Sequence, residues 1–466
     1  MGTVRATSAF LRGNFAPVHD EIDSERLSVI GEIPAELTGM FVRNGPNPQF
    51  TPIGRYHWFD GDGMLHGIHL RDGCASYRNR YVQTRGLLKE QDAQRAIWTG
   101  LLEPPQIEIP EGATKNRANT SLIWHSGRLL TLWEAGEPYA ITLPNLETRG
   151  PHTFDNKLKF PVTAHPKVDP ETGEMLFFGY SFAPPYLQYG IVSPTGELLR
   201  TEPIDIPVGV MMHDFAITPR FTVFLDLPLT YRPERVTQGK RALAFERDRA
   251  SRFGILPRHG DNTQVRWFEA SACYVFHTLN AYEAGDEVVL VACRMSSYDL
   301  SGANSDPESG IPRLHEWRFN LSTGMIQERR LSPIPAEFPR INEQFMGRPV
   351  KYGFASKTAA TRLPRFDGLI KLNFESEGLP TTQVHALGGR RYCGEAVFVP
   401  HPDGDTEDAG WLLTFVHDEQ QNQSELLIVD ARNLECEPVA RVLLPQRVPY
   451  GFHAVWISDA QIQATL

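Results

Sequence analysis

The chain has 466 residues, 41% of them hydrophobic and 22% charged, enough for a large core in one domain or up to about three. A formal net charge of -10, with no Lys/Arg run longer than two, excludes a surface built for nucleic acid. Five widely spaced cysteines without a Cys-x-x-Cys pair fit reduced thiols, and Met1 to Ala6 opens no signal-peptide core, so the expected location is cytoplasmic.

Up to about residue 30 the chain reads as an N-terminal extension packed on a propeller-like body, within a single domain of residues 1–466. From about residue 38 onward, short strand-like runs alternate with turn signals. Asp72-Gly73 joins Gly67–Leu70 to Cys74–Tyr77, Ser126-Gly127-Arg128 joins Ser121–Trp124 to Leu129–Trp133, and Glu171-Thr172-Gly173 leads into Met175–Phe178. Further turns fall at Gly196, Gly285, Gly324 and Glu377-Gly378. So many hairpins in one chain must close on themselves, and a propeller closes by radial repetition that leaves only short edges. Without a strict repeat, the pattern alone does not count the blades.

Leu87 to Leu102 breaks the β rhythm and reads as a helix with an apolar end before Pro104-Pro105. Packing on the scaffold is one reading of that end. The other is peripheral membrane contact through Ile97, Trp98, Leu101 and Leu102, with Leu227-Pro228-Leu229 and Tyr231 as a second loop. No apolar run approaches the roughly 20 residues of a spanning helix.

Four histidines sit in apolar, strand-like surroundings: His165 in VTAHP, His213 in VMMHDFAIT, His277 in YVFH and His453 in YGFHAVW. A buried histidine bonded to backbone is common, but four of them make a metal site the hypothesis to test, since neutral imidazole is the commonest ligand of iron, zinc and copper. Their separations far exceed any local finger spacing, so they must converge from different strands, as the inner strands of a propeller do. The other histidines, among them His57, His66, His125, His315 and His417, read as surface or structural.

Motifs along the whole chain carry a resemblance: FVRNGPNP from Phe41, YHWFDGDGM from Tyr56, Ala118-Asn119-Thr120, Leu132-Trp133-Glu134, MMHDFAIT from Met211, RFGILPR from Arg252, EFPRIN from Glu337 and Gly451-Phe452-His453. In these the chain resembles the carotenoid cleavage oxygenases, most of all the plant type that cuts at the 9,10 (9′,10′) bond. The resemblance implies an all-β, seven-bladed propeller, with a few short helices and loops capping an axial Fe(II) held by His165, His213, His277 and His453. It places outer-shell carboxylates at Glu134, Glu337 and Glu395, consistent with the need of a ligating imidazole for an acceptor on its other N–H. It also places Thr120 near the metal and Phe59, Trp133 and Phe276 in the apolar walls.

The implied reaction uses O2 as co-substrate and splits a lipophilic carotenoid or apocarotenoid into two carbonyl products. In the stilbene-cleaving branch a phenol-binding Lys precedes the first Glu; here Trp133 stands there, which favours an apolar polyene. The alternatives are a stilbene or phenylpropene oxygenase on the same scaffold, and a non-catalytic propeller that only binds.

Overall fold

In the computed structural model the described residues are 8–103, 112, 114–238, 241–300, 306–375 and 378–464. Pro104-Pro105 and Glu377, named above as helix end and turn, lie outside them. The chain forms two compact units, one of Met1–Asp155, Leu387–Asp403 and Gly410–Leu466, the other of Asn156–Ala386 and Gly404–Ala409.

The first unit holds three antiparallel meanders. One runs Asp23–Ser24, Cys74–Tyr81, Gly63–Arg71, Gly39–Pro46 and Ala454–Ser458, so that an early strand pairs with the last one, from Gly39 opposite Ser458 to Arg43 opposite Ala454. The second runs Ser121–His125, Arg128–Leu132, Tyr139–Ile141 and Thr148–Pro151. In the third, Arg391–Cys393 and Val397–Pro400 both pair with Gly410–Asp418, followed by Gln423–Asp430, Ala440–Leu443 and Ser28–Gly31. Alternation along these strands buries Phe41, Ile68, Leu413, Leu426, Ile428 and Val442 in one core. The N-terminal stretch is tied in by Ser28–Gly31 and by the buried Phe15, whose ring meets Trp58 at 5.3 Å and Tyr450 at 4.9 Å.

The second unit holds four meanders. The first two are Lys167–Val168, Met175–Tyr180, Leu187–Val192, Leu198–Ile204, and then Ala216–Ile217, Phe221–Asp226, Ser251–Pro257, Arg266–Ala270. The third is Tyr274–Ala284, Glu287–Met295, Arg313–Asn320 and the start of the long strand Ile326–Arg340. The fourth continues from the far end of that strand through Tyr352–Thr358, Phe366–Asn373 and Thr381–Ala386. Three meanders in one unit and four in the other match the seven blades that the resemblance implies.

The hairpin signals hold. Asp72 (φ 51°) and Gly73 (φ 68°) link Arg71 to its partner Cys74, and Ser126 (φ 48°) and Gly127 (φ 69°) link His125 to Arg128. Both are two-residue loops with positive φ throughout, the type I′ geometry that matches strand twist.

The expected helix is shorter than its apolar pattern. It spans Arg85–Ala93, with the Thr84 hydroxyl accepting from the Leu87 N–H, and it stops where Gln94 turns left-handed (φ 53°). Beyond it Trp98 is buried and its indole N–H donates to the Gly112 carbonyl (3.1 Å), so it serves the core and not a lipid surface. Leu101 is exposed, while Ile97 and Leu102 are half-buried. Leu227 and Leu229 are buried as well, which removes the second apolar loop. No helix among the described residues is long and apolar enough to cross a membrane.

Candidate metal centre

Three of the four singled-out histidines belong to the second unit, and the fold brings them together. His165 precedes the strand Lys167–Val168, His213 precedes Ala216–Ile217, and His277 lies within Tyr274–Ala284. The His165 and His213 rings stand 4.6 Å apart, and His277 lies 5.0 and 5.1 Å from them. Their candidate ligand nitrogens lie within 4.8 Å of one another.

The placement of His277 depends on a defect in pairing. Val275 faces Arg294 and Thr278 faces Ala292, so one extra residue is inserted beside His277. A bulge of this kind re-aims a side chain that a regular strand would direct elsewhere. A second bulge sits across from it: Glu337 pairs with Ser356 but Arg340 with Phe354, and Phe338 between them takes a left-handed φ of 51°. That turn lets the Phe338 N–H donate to Glu337 Oε2 (2.5 Å), and the same oxygen accepts from His277 Nδ1. The Phe338 ring lies 5.3 Å from the imidazole.

Neither Asp214, Lys167 nor Thr278 received a role from sequence alone. The Asp214 carboxylate is buried and receives Lys167 Nζ (2.8 Å) together with the Thr278 N–H and hydroxyl (both 2.8 Å). Lys167 follows His165 by two positions and Thr278 follows His277 by one, so a single carboxylate ties all three histidine-bearing segments. Burial opposes its ionisation, yet Lys167 and the Thr278 donors hold Asp214 below the ordinary carboxylate range.

In the first unit His453 is prepared in the same way. Its Nδ1–H donates to Glu395 Oε1 (3.0 Å), and Glu395 Oε2 accepts from the Ala454 N–H (2.7 Å). The backbone around it is fixed from two sides: the Asn44 N–H donates to the His453 carbonyl (2.9 Å), and the His453 N–H to the Thr120 carbonyl (3.3 Å). The Asn44 side-chain amide reaches the Ala118 (2.8 Å) and Ser121 (3.1 Å) carbonyls, which gives the FVRNGPNP motif a physical task. Gly45 and Gly451 are required here, because a Cβ on Gly45 would stand 2.9 Å from Gly451 Cα, and one on Gly451 would strike the Arg43 guanidinium.

The other expected site residues are placed as follows. Phe276 lies edge-on to His213, ring centroids 5.0 Å apart, and Phe59 lies 5.6 Å from Phe452, the residue before His453. Thr120 is half-buried and its hydroxyl donates to Asn119 Oδ1 (3.0 Å). Trp133 is half-buried under the Arg117 guanidinium (5.6 Å), and Glu134 is half-buried in the following turn. Of the histidines set aside above, His57, His66, His125 and His417 are buried and structural; His57, for example, caps the turn Trp58–Asp60.

The donor set suits a divalent transition metal. His165 Nε2 and His213 Nε2 face each other at 3.0 Å, which two N–H groups could not do, while cis ligands bound at about 2.1 Å stand about 3.0 Å apart. An Nδ1–H on a carboxylate, as in His277 and His453, leaves Nε2 as the lone-pair nitrogen.

A family model described as "Retinal pigment epithelial membrane protein" matches residues 15–458. The chain is 41% identical to a carotenoid 9,10(9′,10′)-cleavage dioxygenase of Crocus sativus over 97% of its own length and 90% of the relative's. Among solved structures it resembles a lignostilbene dioxygenase of Pseudomonas brassicacearum, with TM-score 0.91, 31% identity, and 98% and 100% of the two chains covered. It also resembles the cobalt-substituted Synechocystis apocarotenoid oxygenase, with TM-score 0.84, 27% identity, and 95% and 97% covered.

Proposed function

The chain belongs to the carotenoid cleavage oxygenase family and is a dioxygenase, and from that premise we propose that it cleaves a carotenoid or apocarotenoid polyene at the 9,10 (9′,10′) bond, using Fe(II) held by His165, His213, His277 and His453. The observation that carries this reading is the gathering of the His165, His213 and His277 imidazoles, with Nδ1 of His277 tied to the buried Glu337 and Nδ1 of His453 to the buried Glu395. Iron held there would supply the activation of O2.

The protein's own groups do the rest. Glu337 and Glu395 retain the Nδ1 protons of His277 and His453, which leaves Nε2 of each as the nitrogen that would hold the metal. Phe276 and Phe338, packed on His213 and His277, exclude water and offer an apolar wall along which a polyene chain can be held in register. Glu134 is assigned the same outer-shell role by position in its motif, and Phe59, Thr120 and Trp133 the substrate wall. The polyene is insoluble in water, so it reaches the enzyme by peripheral membrane contact.

The test measures iron per chain, O2 consumption and the chain lengths of aldehyde and ketone products for a carotenoid, an apocarotenoid and a hydroxystilbene. We expect about one iron and cleavage of the first two. The high TM-score to lignostilbene dioxygenase supports a second reading, stilbene cleavage, which turnover of the hydroxystilbene alone would establish. Iron-free protein that cleaves none of them would make the chain a binding module.

A further inference from the structure

A positively charged cleft lies on the third meander of the second unit, with no part in the chemistry above. Across adjacent strands Arg294 stands directly opposite Arg313, and His315 directly opposite Arg330. Arg294 opposite Arg313 sets two like charges side by side, a destabilising arrangement in an antiparallel pair. These four side chains, with Ser296 and Ile311, line a cavity of about 330 Å³.

The cleft's cations are poorly matched by the protein. Arg313 donates to the Pro333 carbonyl (3.2 Å) and to the exposed Glu308 carboxylate (3.0 Å) at the rim. Arg294 reaches only neutral groups, the Ser296 and Ser271 hydroxyls (3.3 and 3.2 Å) and the Ala272 carbonyl (3.5 Å), and its Nε is buried without a hydrogen bond. Among the described residues Arg330 has no hydrogen-bond or ion-pair partner. The nearby Glu328 is engaged by Ser271 (2.8 Å) and Trp317 (3.0 Å). Burial, aided by Arg294 and Arg330 and opposed by a bond to the Arg313 carbonyl and by the Glu328 carboxylate, lowers the His315 pKa.

We propose that this cleft binds a phosphate-class oxyanion, free or carried on a lipid headgroup. Three guanidiniums offer forked donors for such oxygens, and a bound anion converts the opposed charges from repulsion into shared attraction. The volume leaves room for a substituent beside the phosphate, against Ile311.

The test uses the full-length, iron-loaded protein and inorganic phosphate, titrated at constant ionic strength set with NaCl and read by Tm and by calorimetry. Phosphate should raise Tm with saturation. Arg294→Gln should raise Tm without phosphate, by relieving its repulsion with Arg313, and weaken phosphate binding at least tenfold; Arg330→Gln should weaken it likewise. Co-sedimentation with phosphatidylcholine vesicles, with and without phosphatidic acid, then distinguishes the sources. Arg330-dependent capture by phosphatidic acid points to a headgroup, and saturable phosphate binding without it points to a free anion. Chloride that reproduces the phosphate response, or an Arg330→Gln protein that binds phosphate like the parent, would overturn the proposal.

Discussion

Glu337 accepts from two donors, the His277 Nδ1–H and the Phe338 N–H, and Glu395 likewise accepts from the His453 Nδ1–H and the Ala454 N–H. Replacing either by Gln keeps the size but removes the charge that fixes the tautomer. Iron affinity or activity should fall about 10- to 100-fold, measured by metal titration of the chelated protein and by cleavage rate. Any of the four His→Ala changes should abolish both, so equal losses in the two sets would assign the carboxylates as ligands. Asp214 acts one step further out: Asp214→Asn leaves Lys167 without its counter-charge and loosens three segments together. Breaking a buried pair typically costs about 3 to 5 kcal/mol, so the variant should lose Tm and hold iron more weakly, while Lys167→Met with Asp214→Asn should recover part of the Tm. The candidate ligands were legible as histidines in apolar strands. Asp214 was not, because Thr278 lies 64 positions away and its pairing exists only in the fold.

Hairpins were the readable elements, since Asp-Gly and Ser-Gly turns are written locally in residues that accept positive φ. The bulges at His277 and Phe338 were not, because an inserted residue is defined only against a partner strand. The helix was read too long for a related reason: Ile97, Trp98 and Leu101 continue an apolar pattern, but Glu90 accepts the Ile97 N–H (2.8 Å) and folds the chain back after Gln94. The strand Gly410–Asp418 carries a titration that can be tested. Burial, with Arg447 nearby, lowers the His417 pKa from 6.5 to about 4, and its Nδ1 pairs with the Ser424 hydroxyl (3.0 Å). Between those two values the unfolded chain binds a proton that the folded chain refuses, so stability is full above pH 6.5 and declines as pH falls toward 4. A His417→Gln protein should show a flatter Tm profile across that interval, and a profile parallel to the parent's would assign the acid sensitivity to other groups.

At the scale of the whole chain, the all-β architecture followed from turn spacing, whereas the number of blades came only from the resemblance, because the meanders share no repeat that sequence displays. The net charge of -10 also has a consequence for a protein whose proposed substrate partitions into lipid. Long-range attraction to an anionic membrane is unfavourable overall, so contact with neutral lipid must come from buried apolar area, which salt does not screen. Leu101, exposed beyond the helix Arg85–Ala93, and the half-buried Ile97 and Leu102 remain candidates for that contact, and Leu88 on the helix is also exposed. Full transfer of such side chains from water is worth about 1.5 to 3 kcal/mol each, which supports reversible docking. Flotation on phosphatidylcholine vesicles should therefore persist in about 0.5 M NaCl, where the Debye length is only a few Å. Leu101→Glu should reduce it without changing Tm or the cleavage of a short, soluble apocarotenoid. Trp98→Glu should instead lower Tm, because it places a charge among core residues. A Leu101→Glu protein that floats like the parent would move the docking surface elsewhere, and one that loses activity on the soluble substrate would make Leu101 part of the substrate path.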